Sequence, residues 1–467
     1  MTTFSVHYSL NRKYPCRSAG PSSFVALRFD SSGEVCHNTT MLPQWILIMS
    51  KKQRDLLISA LVLLVSCALS ILLIEGALRL FFIGSLFRPE FTNQLQLHPP
   101  HPTRGWAPAP GRTALIQTFE YHALVHINSK GLRDREHEYE PVSGVFRIAI
   151  LGDSFMEGYH VEMEQSLPRR LERLLADRSV EVINLGVVSY GCGQEYLCLK
   201  EEGLKYKPDL VLLAFYAEND VRNDSQPLET MIWGKENRAA WARPYPRWDD
   251  KTQQMTFAVP DFERAQRDFK ARLADLACKE EAKLPWQRTL TYDVVAKIAR
   301  SWGQRAGISE SLYNPNVLFH AFLRGFDPEA YTSAGLSAGD YERLCDEAWT
   351  MTTQIIKGMR DLAAEQHARF AVFTVPARVQ TDMKYLDFVK RLYPRLDFDL
   401  DKTDRLLAKL AAEAHIPLLD LTPAFREHYA QNGGPLFFPE DRHWNAAGHQ
   451  LAAAELAEFL RAQGLVP

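Results

Sequence analysis

Features that mark metal proteins and nucleic-acid-binding proteins are scarce in this sequence. The seven cysteines form no Cys-x-x-Cys pair and no cluster with histidine at zinc-ligand spacing. The 54 basic and 57 acidic side chains leave a net charge of -3, and no basic patch emerges. The sequence has no P-loop, no Gly-x-Gly-x-x-Gly after a strand and no His-Glu-x-x-His. It therefore predicts neither a metal nor another cofactor, and no nucleic-acid partner.

Long apolar runs are also rare, and one stands out towards the N-terminus. Leu56–Ile74 carries no charged side chain, and as a helix it would span about 28 Å, close to the roughly 30 Å hydrocarbon core of a bilayer. Lys51, Lys52 and Arg54 precede the run, so the positive-inside rule keeps the N-terminus cytoplasmic. We expect a single transmembrane anchor at 56–82 and the bulk of the protein, which follows it, on the extracytoplasmic side.

Two other interpretations of this run stay open. A cleaved signal peptide would need a small-x-small cleavage site, which the continuing apolar sequence lacks. Leu64–Cys67 resembles a lipoprotein acylation motif, although the residues after Cys67 remain apolar. An uncleaved anchor fits the run better than either alternative.

The stretch before the anchor, residues 1–48, shows neither helical nor strand periodicity. We expect it to be a disordered extension. Met49 followed by Ser50 and two lysines would make a normal start for an anchored protein. We therefore hypothesise that residues 1–48 are not part of the naturally translated protein.

The remainder of the chain alternates strand and helix patterns. Residues 88–145 read as a linker and a small β-containing preface, with strand-like pieces at Ala114–Phe119 and Ala123–Ile127. A domain follows at 146–467, in which apolar strands alternate with amphipathic helices. Such alternation predicts an α/β fold with a parallel sheet covered on both faces.

One interval of this domain, 221–340, breaks the alternation. It contains prolines and several tryptophans, namely Trp233, Trp241, Trp248, Trp286 and Trp302. We interpret it as an insertion laid over the carboxyl edge of the sheet, where ligands of open α/β sheets bind. The alternative is a packed structural excursion whose tryptophans belong to a core.

A candidate nucleophile comes directly after the first strand of the domain. Gly152-Asp153-Ser154-Phe155 lies between the strand pattern Phe146–Leu151 and a helix. A serine at such a turn can project its hydroxyl above the sheet edge, beside the backbone amides at the start of the helix. Alternatively, Ser154 only caps the helix and Asp153 bonds locally.

Serine needs a base, and the base needs a carboxylate to orient it. The segment that supplies both comes just before the terminal helix and contains Glu440, Asp441, His443 and His449. His443 is the candidate base. His449 is expected to lie on the surface or to pack on the helix.

Candidate donors to a tetrahedral oxyanion follow the next two strands. Gly186 comes after the strand pattern Val180–Leu185, and Asn219 comes after Asp209–Phe215. Because parallel strands end at the same edge, both can join the Ser154 amide there. The plainer alternatives are that Gly186 permits a turn and that Asn219 starts a loop.

Together these residues resemble the SGNH/GDSL hydrolase superfamily over 146–220 and 341–460. The resemblance implies a flavodoxin-like three-layer α/β/α sandwich, with Ser154 as nucleophile, His443 as base, and Gly186 and Asn219 in the oxyanion hole. The arrangement Asp441-x-His443-Trp444 is similar to the membrane-associated branch related to alginate-type polysaccharide O-acetyltransferases, which favours Asp441 as the orienting acid. The family's Asp-x-x-His spacing would instead select Glu440.

The expected function is that of a serine esterase or deacylase that acts outside the cytoplasm through an acyl-serine intermediate, on an acylated small molecule, lipid or carbohydrate. The first alternative is a polysaccharide O-acetyltransferase that uses the same serine. The second is a non-catalytic binding or assembly module on the same fold, for which His443 would lie far from Ser154. The Gly-x-Ser-x-Gly match at Ser337 lacks a preceding strand and is interpreted as the entry to a helix.

Overall fold

A computed structural model describes residues 50–81, 92–118, 120–233, 241–249, 251–252, 254–282, 337–392, 399–431 and 433–467. The expected disordered extension at 1–48 lies outside these residues, as do Trp286 and Trp302 of the insertion. The chain divides into two compact units, Met1–Leu73 and Ile74–Pro467.

The apolar run forms a continuous helix, α1, which extends from Lys51 to Phe81. Within it, Lys51–Ala77 is long and apolar enough to cross a membrane by its length and composition. Between Leu56 and Ile74 its leucine, isoleucine and valine side chains are exposed. The predicted single membrane-spanning helix is therefore present as an element.

The remaining helices and strands follow in chain order. The strands are β1 (Pro100–His101), β2 (Gly105–Trp106), β3 (Thr113–Gln117), β4 (His122–His126), β5 (Phe146–Leu151), β6 (Val180–Asn184), β7 (Leu210–Phe215), β8 (Pro246–Asp249), β9 (Gln254–Phe257), β10 (Arg369–Thr374) and β11 (Leu418–Leu419). The helices are α2 (Thr92–Leu97), α3 (Ser154–Glu157), α4 (Leu167–Leu174), α5 (Cys192–Glu201), α6 (Asp220–Asn223), α7 (Gln226–Trp233), α8 (Phe262–Ala282), α9 (Ala338–Glu365), α10 (Arg378–Thr381), α11 (Met383–Leu392), α12 (Lys402–Glu413), α13 (Thr422–Ala430) and α14 (Ala446–Ala462).

Five of these strands form one parallel sheet in the order β11-β10-β7-β5-β6. Numbered by their sequence order within the sheet, the strands run 2-1-3-4-5, which is the flavodoxin-like order. The chain therefore reverses its direction of winding between β5 and β7. The predicted flavodoxin-like α/β fold with a parallel sheet is confirmed.

Both faces of the sheet are buried. Because successive side chains of a strand point to opposite faces, one strand contributes to the core on each side. On β5, Ala149 and Leu151 join the core beneath α5, α9 and α12, whereas Ile148 and Ile150 join the core beneath α4, α13 and α14. A strand that is covered on both faces needs apolar residues at every position. This requirement explains the continuous apolar sequence of β7 and the apolar sequence of β5 after Arg147, whose guanidinium pairs with Glu181.

The preface is an antiparallel element that packs on the sheet domain. The two strand-like pieces are β3 and β4, which pair from Thr113 opposite His126 to Gln117 opposite His122. The Trp106 indole nitrogen donates to the Val188 carbonyl at 2.9 Å, and the Tyr190 hydroxyl donates to the Trp106 carbonyl at 2.6 Å. The preface and the sheet domain therefore share buried contacts.

Within the insertion the structure describes α6, α7, α8 and the hairpin β8–β9. Trp248 on β8 borders a groove along α9, and the Arg264 guanidinium lies 4.1 Å from the centre of the Trp241 ring. No contact of these two tryptophans with Ser154 or His443 is found among the described residues. The expectation that the insertion caps the substrate cleft stays a prediction.

Candidate active site

The nucleophile turn is a tight passage from β5 into α3. Asp153 is the N-cap of α3, and its Oδ1 atom accepts a hydrogen bond from the Phe155 amide at 2.9 Å. A Cβ atom at Gly152 would lie 2.4 Å from Cγ of Met156, so only glycine allows this close approach. Ser154, at the first position of the helix, lies at the carboxyl edge between β5 and β7, where the winding reverses and ligands of such sheets bind.

The candidate base is presented by the loop between α13 and α14. Phe437 and Trp444 form an isolated antiparallel bridge that closes this loop, and the Trp444 side chain is fully buried. His443 Nε2 lies 2.7 Å from Ser154 Oγ, although 289 positions separate the two residues. The structure thus brings together two residues that the sequence places near opposite ends of the domain.

Of the two candidate carboxylates, Asp441 contacts the base. Its Oδ1 lies 2.5 Å from His443 Nδ1, while the Glu440 amide donates to the Glu120 carboxylate. Burial alone would raise the pKa of Asp441, but the hydrogen bond with His443 and the charge of that ring outweigh it, so the pKa lies below its usual range. The ionised carboxylate can hold the His443 ring and stabilise its protonated form.

Asn219 stands beside the nucleophile turn. Its Nδ2 atom donates to Asp153 Oδ2 at 2.7 Å, and its Oδ1 atom is buried without a hydrogen-bond partner among the described residues. An amide nitrogen carries two hydrogens, and this contact uses one of them. Burial raises the pKa of Asp153, against the effect of the hydrogen bonds from Phe155 and Asn219.

Gly186 has a steric reason to be glycine. A Cβ atom there would lie 2.5 Å from the Glu157 amide nitrogen, so Gly186 lets β6 approach α3. Its own amide donates to Asn184 Oδ1 at 3.0 Å. An oxyanion would therefore compete with the Asn184 side chain for this donor, and a role in the oxyanion hole stays a prediction.

Two buried side chains hold α3 in place. Asn184 Nδ2 donates to the Met156 carbonyl at 2.8 Å, and Arg133 Nη1 donates to the Glu157 carbonyl at 2.8 Å. These bonds satisfy carbonyls at the carboxyl end of a helix that is too short to satisfy them itself. The preface, through Arg133, thus helps to fix the helix that begins with Ser154.

The structure adds neighbours that the sequence motifs do not reveal. Tyr121 donates its hydroxyl to Asp441 Oδ2 at 3.0 Å, and the His160 ring stacks on the His443 ring with the centroids 3.8 Å apart. Neither residue belongs to a motif, and their distance along the chain from Asp441 hides the contact. The available sequence signal is weak: His160 follows the nucleophile helix closely, between Tyr159 and Val161.

Two groups of side chains invite comparison with metal sites. His160, Asp441 and His443 place one ligand atom each within 4.8 Å of one another, but their two rings lie nearly parallel, at 18°. The in-plane lone pairs of parallel rings run side by side and do not converge on one ion. The buried side chains of Cys192, Glu195 and Asp220 also place one ligand atom each within 4.8 Å of one another. Burial raises the pKa of the Glu195 and Asp220 carboxyls well above the usual range. Burial therefore favours their neutral, protonated forms.

Further contacts bear on two alternatives to the proposed site, namely a nucleophile at Ser337 and a non-catalytic module. Ser337 is the N-cap of α9, where its hydroxyl accepts from the Asp340 amide at 3.2 Å, as expected for a helix entry. Burial and the charge of Glu218 raise the pKa of Tyr216, and the charge of Glu218 raises the pKa of Arg442 against the opposing effect of burial. The wide separation of His443 from Ser154 that would favour a non-catalytic module is not observed.

A known protein family matches the C-terminal part of the chain. The family described as "SGNH hydrolase-like domain, acetyltransferase AlgX" matches residues 339–466. No curated protein matches the chain.

Solved structures with similarity to this chain include the acetyl xylan esterase AlAXEase, at 12% identity and a TM-score of 0.33 over 67% of this chain and 98% of that one. Others are a lipase/acylhydrolase from Enterococcus faecalis (11%, TM-score 0.32, 68% and 97%) and a catalytic mutant of an acetylxylan esterase from Geobacillus stearothermophilus (9%, TM-score 0.33, 69% and 96%). The substrates in these names are those of the proteins that carry them and are not assigned to this chain. Residues 339–466 are thus similar to the SGNH hydrolase-like domain of AlgX, and the predicted resemblance to the SGNH superfamily is confirmed.

Proposed function

We propose that this protein is a serine-dependent ester hydrolase that works through an acyl-serine intermediate. The observation that carries the proposal is the chain of contacts from Ser154 Oγ to His443 Nε2 at 2.7 Å and from His443 Nδ1 to Asp441 Oδ1 at 2.5 Å. Both distances are those of hydrogen bonds that transfer or hold a proton. This arrangement supports the roles of Ser154 as nucleophile, His443 as base and Asp441 as orienting acid.

In the first half of the reaction, Ser154 Oγ attacks the ester carbonyl carbon while His443 Nε2 takes the hydroxyl proton. The negative oxygen that develops is stabilised by the Ser154 amide at the start of α3 and by the second hydrogen of the Asn219 amide. The tetrahedral intermediate collapses, the ester C–O bond breaks, and His443 returns the proton to the leaving alcohol. The acyl group remains on Ser154.

In the second half, water attacks the acyl-serine carbonyl while His443 takes one of its protons. The intermediate collapses to free acid, and Ser154 regains its proton. Asp441, ionised throughout, stabilises the imidazolium in both halves.

Acetyl transfer to a carbohydrate hydroxyl is the second candidate, and the match to the AlgX family over 339–466 favours it. The first half of the reaction is the same. The acceptor in the second half is then a sugar hydroxyl, so the product is a new ester. The half-buried Trp248 offers an aromatic surface of the kind on which sugars stack.

We also place the catalytic domain on the extracytoplasmic side. Lys51, Lys52 and Arg54 form the basic flank of α1 at its N-terminal end, and basic flanks remain in the cytoplasm. The substrate would then be an acylated carbohydrate, lipid or small molecule of the cell envelope.

The experiment is hydrolysis of a chromogenic acetate ester by the full chain in detergent, wild type against Ser154→Ala. We expect the substitution to abolish turnover, with a loss of about 10⁴-fold or more, while the circular dichroism spectrum and thermal midpoint stay the same. The matched control is Ser337→Ala, which removes the N-cap serine of α9.

Equal turnover by the wild type and Ser154→Ala would refute the proposal. Slow hydrolysis that gives way to a new sugar ester when an oligosaccharide is added would select the transferase. Both of those reactions require Ser154.

A further inference from the structure

The loop that carries the candidate acid and base is held by the tip of the β3–β4 hairpin. The Glu120 carboxylate accepts the amide hydrogens of Glu440 at 2.7 Å and Asp441 at 2.8 Å. Next to it, the Tyr121 hydroxyl donates to Asp441 Oδ2 at 3.0 Å. The hairpin tip therefore contacts both the backbone and the side chain of the candidate acid.

His160, which lies outside the loop between α13 and α14, also supports the Asp441–His443 pair. His160 is 1% exposed, its ring lies at 18° to the His443 ring, and its Nε2 atom is 3.4 Å from Asp441 Oδ1. The Tyr121 ring meets the His160 ring edge-on, with the centroids 5.1 Å apart. Tyr121 and His160 thus contact each other as well as the Asp441–His443 pair.

We propose that Tyr121 and His160 are positioning residues for this pair: Tyr121 fixes the rotation of the Asp441 carboxylate, and His160 fixes the plane of the His443 ring. The proposal rests on the proposed serine-dependent acyl transfer. It assigns part of the active site to residues outside the 339–466 segment that matches the family.

The argument for Tyr121 is geometric. A carboxylate rotates about one bond, and a hydrogen bond to one oxygen leaves the other free to swing. With Oδ2 held by Tyr121, Oδ1 stays directed at His443 Nδ1. Because small displacements of a catalytic group cost up to about 10²-fold in rate, this second hydrogen bond supports turnover without touching the substrate.

The argument for His160 depends on its staying uncharged. The ionisable side chains that face it include His443, Asp441, His449, Arg133, Tyr121 and Tyr159, whose ring centroid lies 3.9 Å from that of His160. Burial, reinforced by the positive charge of His443, lowers the pKa of His160 well below its ordinary value, against the opposing effect of Asp441. A neutral ring can stack beside a protonated His443 without repelling it and does not compete for the serine proton.

The test compares Tyr121→Phe with Tyr139→Phe in the full chain. Tyr139 is the matched control, because its hydroxyl also donates to a carboxylate, that of Glu202, at 2.8 Å. For Tyr121→Phe we expect kcat to fall about 10-fold with KM unchanged. We also expect the acidic limb of its pH–rate profile to move to higher pH, because a carboxylate that has lost a donor binds the protonated ring more strongly. Tyr139→Phe should match the wild type in both respects.

For His160, the pair His160→Phe and His160→Ala separates the stacked ring from its nitrogens. We expect Phe to retain most of kcat and Ala to lose about 10-fold or more, because only Phe restores a stacking surface. A destabilised fold would lower the thermal midpoint but would not shift the pH–rate profile.

The rate at which a fluorophosphonate labels Ser154 keeps failure of this proposal distinct from failure of the proposed function. If the wild type is not labelled, the serine is not activated and both proposals fall. If the wild type is labelled and Tyr121→Phe and His160→Ala are labelled at the same rate with the same pH dependence, only the positioning proposal falls. Slower labelling of these two variants, with the wild-type rate for Tyr139→Phe, supports it.

Discussion

At the scale of single residues, the contribution of the Asn219 side chain to kcat of ester hydrolysis can be measured by substitution. It lies within hydrogen-bond distance of Asp153 in the nucleophile turn, and its second amide hydrogen is the proposed donor to the oxyanion. We expect Asn219→Ala to lower kcat of ester hydrolysis about 10²- to 10³-fold with little change in KM, because the donor acts on charge that develops only in the transition state.

Asn223→Ala provides the matched control for that measurement. Asn223 lies one turn further along, at the end of α6, and its Nδ2 donates to the Tyr190 carbonyl at 3.3 Å, away from the nucleophile. Its loss should reduce stability and leave kcat close to the wild-type value. Equal kcat values for Asn219→Ala and the wild type would exclude Asn219 from the oxyanion hole.

At the scale of secondary-structure elements, the packing of α14 on α4 predicts how the free energy of unfolding depends on pH. His449 on α14 is buried, and its Nδ1 accepts the Leu167 amide at 3.2 Å at the start of α4. Burial, with the positive charges of Arg133 and Arg170, lowers the pKa of His449 to about 3. In the unfolded chain the value is about 6.5.

Because the folded state holds His449 neutral, protons bind preferentially to the unfolded chain below pH ~6.5. The stability contributed by neutral His449 is complete above that pH and is lost as the pH falls towards 3, by up to about 1.4 kcal/mol per pH unit. We expect His449→Gln, whose side-chain oxygen can still accept a hydrogen bond, to lose less free energy of unfolding than the wild type between pH 7 and 5. Urea titrations at the two pH values measure the difference.

The exposed His122 on β4 is the control for this linkage. His122→Gln should follow the pH dependence of the wild type. Identical pH dependence of His449→Gln and the wild type would mean that His449 is protonated equally in the folded and unfolded states.

At the scale of the whole molecule, the proposed membrane topology can be tested by thiol labelling in intact cells. Cys278 is an exposed thiol on α8, and Cys192, Cys198 and Cys345 are buried. Cys67 is also exposed but lies within α1, inside the proposed membrane span, where an impermeant reagent does not reach it. In a chain with Cys16 and Cys36 replaced by serine, we expect a membrane-impermeant maleimide to label Cys278 without permeabilisation, because the domain after α1 is proposed to be exported. Cys278→Ser should abolish the labelling.

The opposite side of the membrane is reported by Ser50→Cys in the Cys278→Ser background. Ser50 is exposed and comes directly before α1, so its replacement should react only after permeabilisation. The reverse pattern, with Cys278 protected and the residue-50 thiol labelled in intact cells, would invert the topology and place the active site in the cytoplasm.

The sequence by itself determined the order of strands and helices and the elements that carry Ser154 and His443. Those features are local: buried strands such as Leu210–Phe215 show as apolar runs, and long helices such as Ala338–Glu365 show amphipathic periodicity. Several elements were not predicted individually, among them the hairpin β8–β9, the 21-residue helix α8 of the insertion and the helices α10, α11 and α13. In these, tertiary contacts decide the conformation more than the local pattern does.

Only the tertiary structure decided which side chains surround the acid and base. The 2-1-3-4-5 strand order brings Ser154 and Asn219 to one edge, but Tyr121 reaches Asp441 across 320 positions and has no local signature. The same holds for His449, which the sequence left between surface and helix packing and which the structure buries against α4. A sequence records which residues are apolar and in what order, whereas the choice among distant partners is made when the faces of helices and sheets pack together.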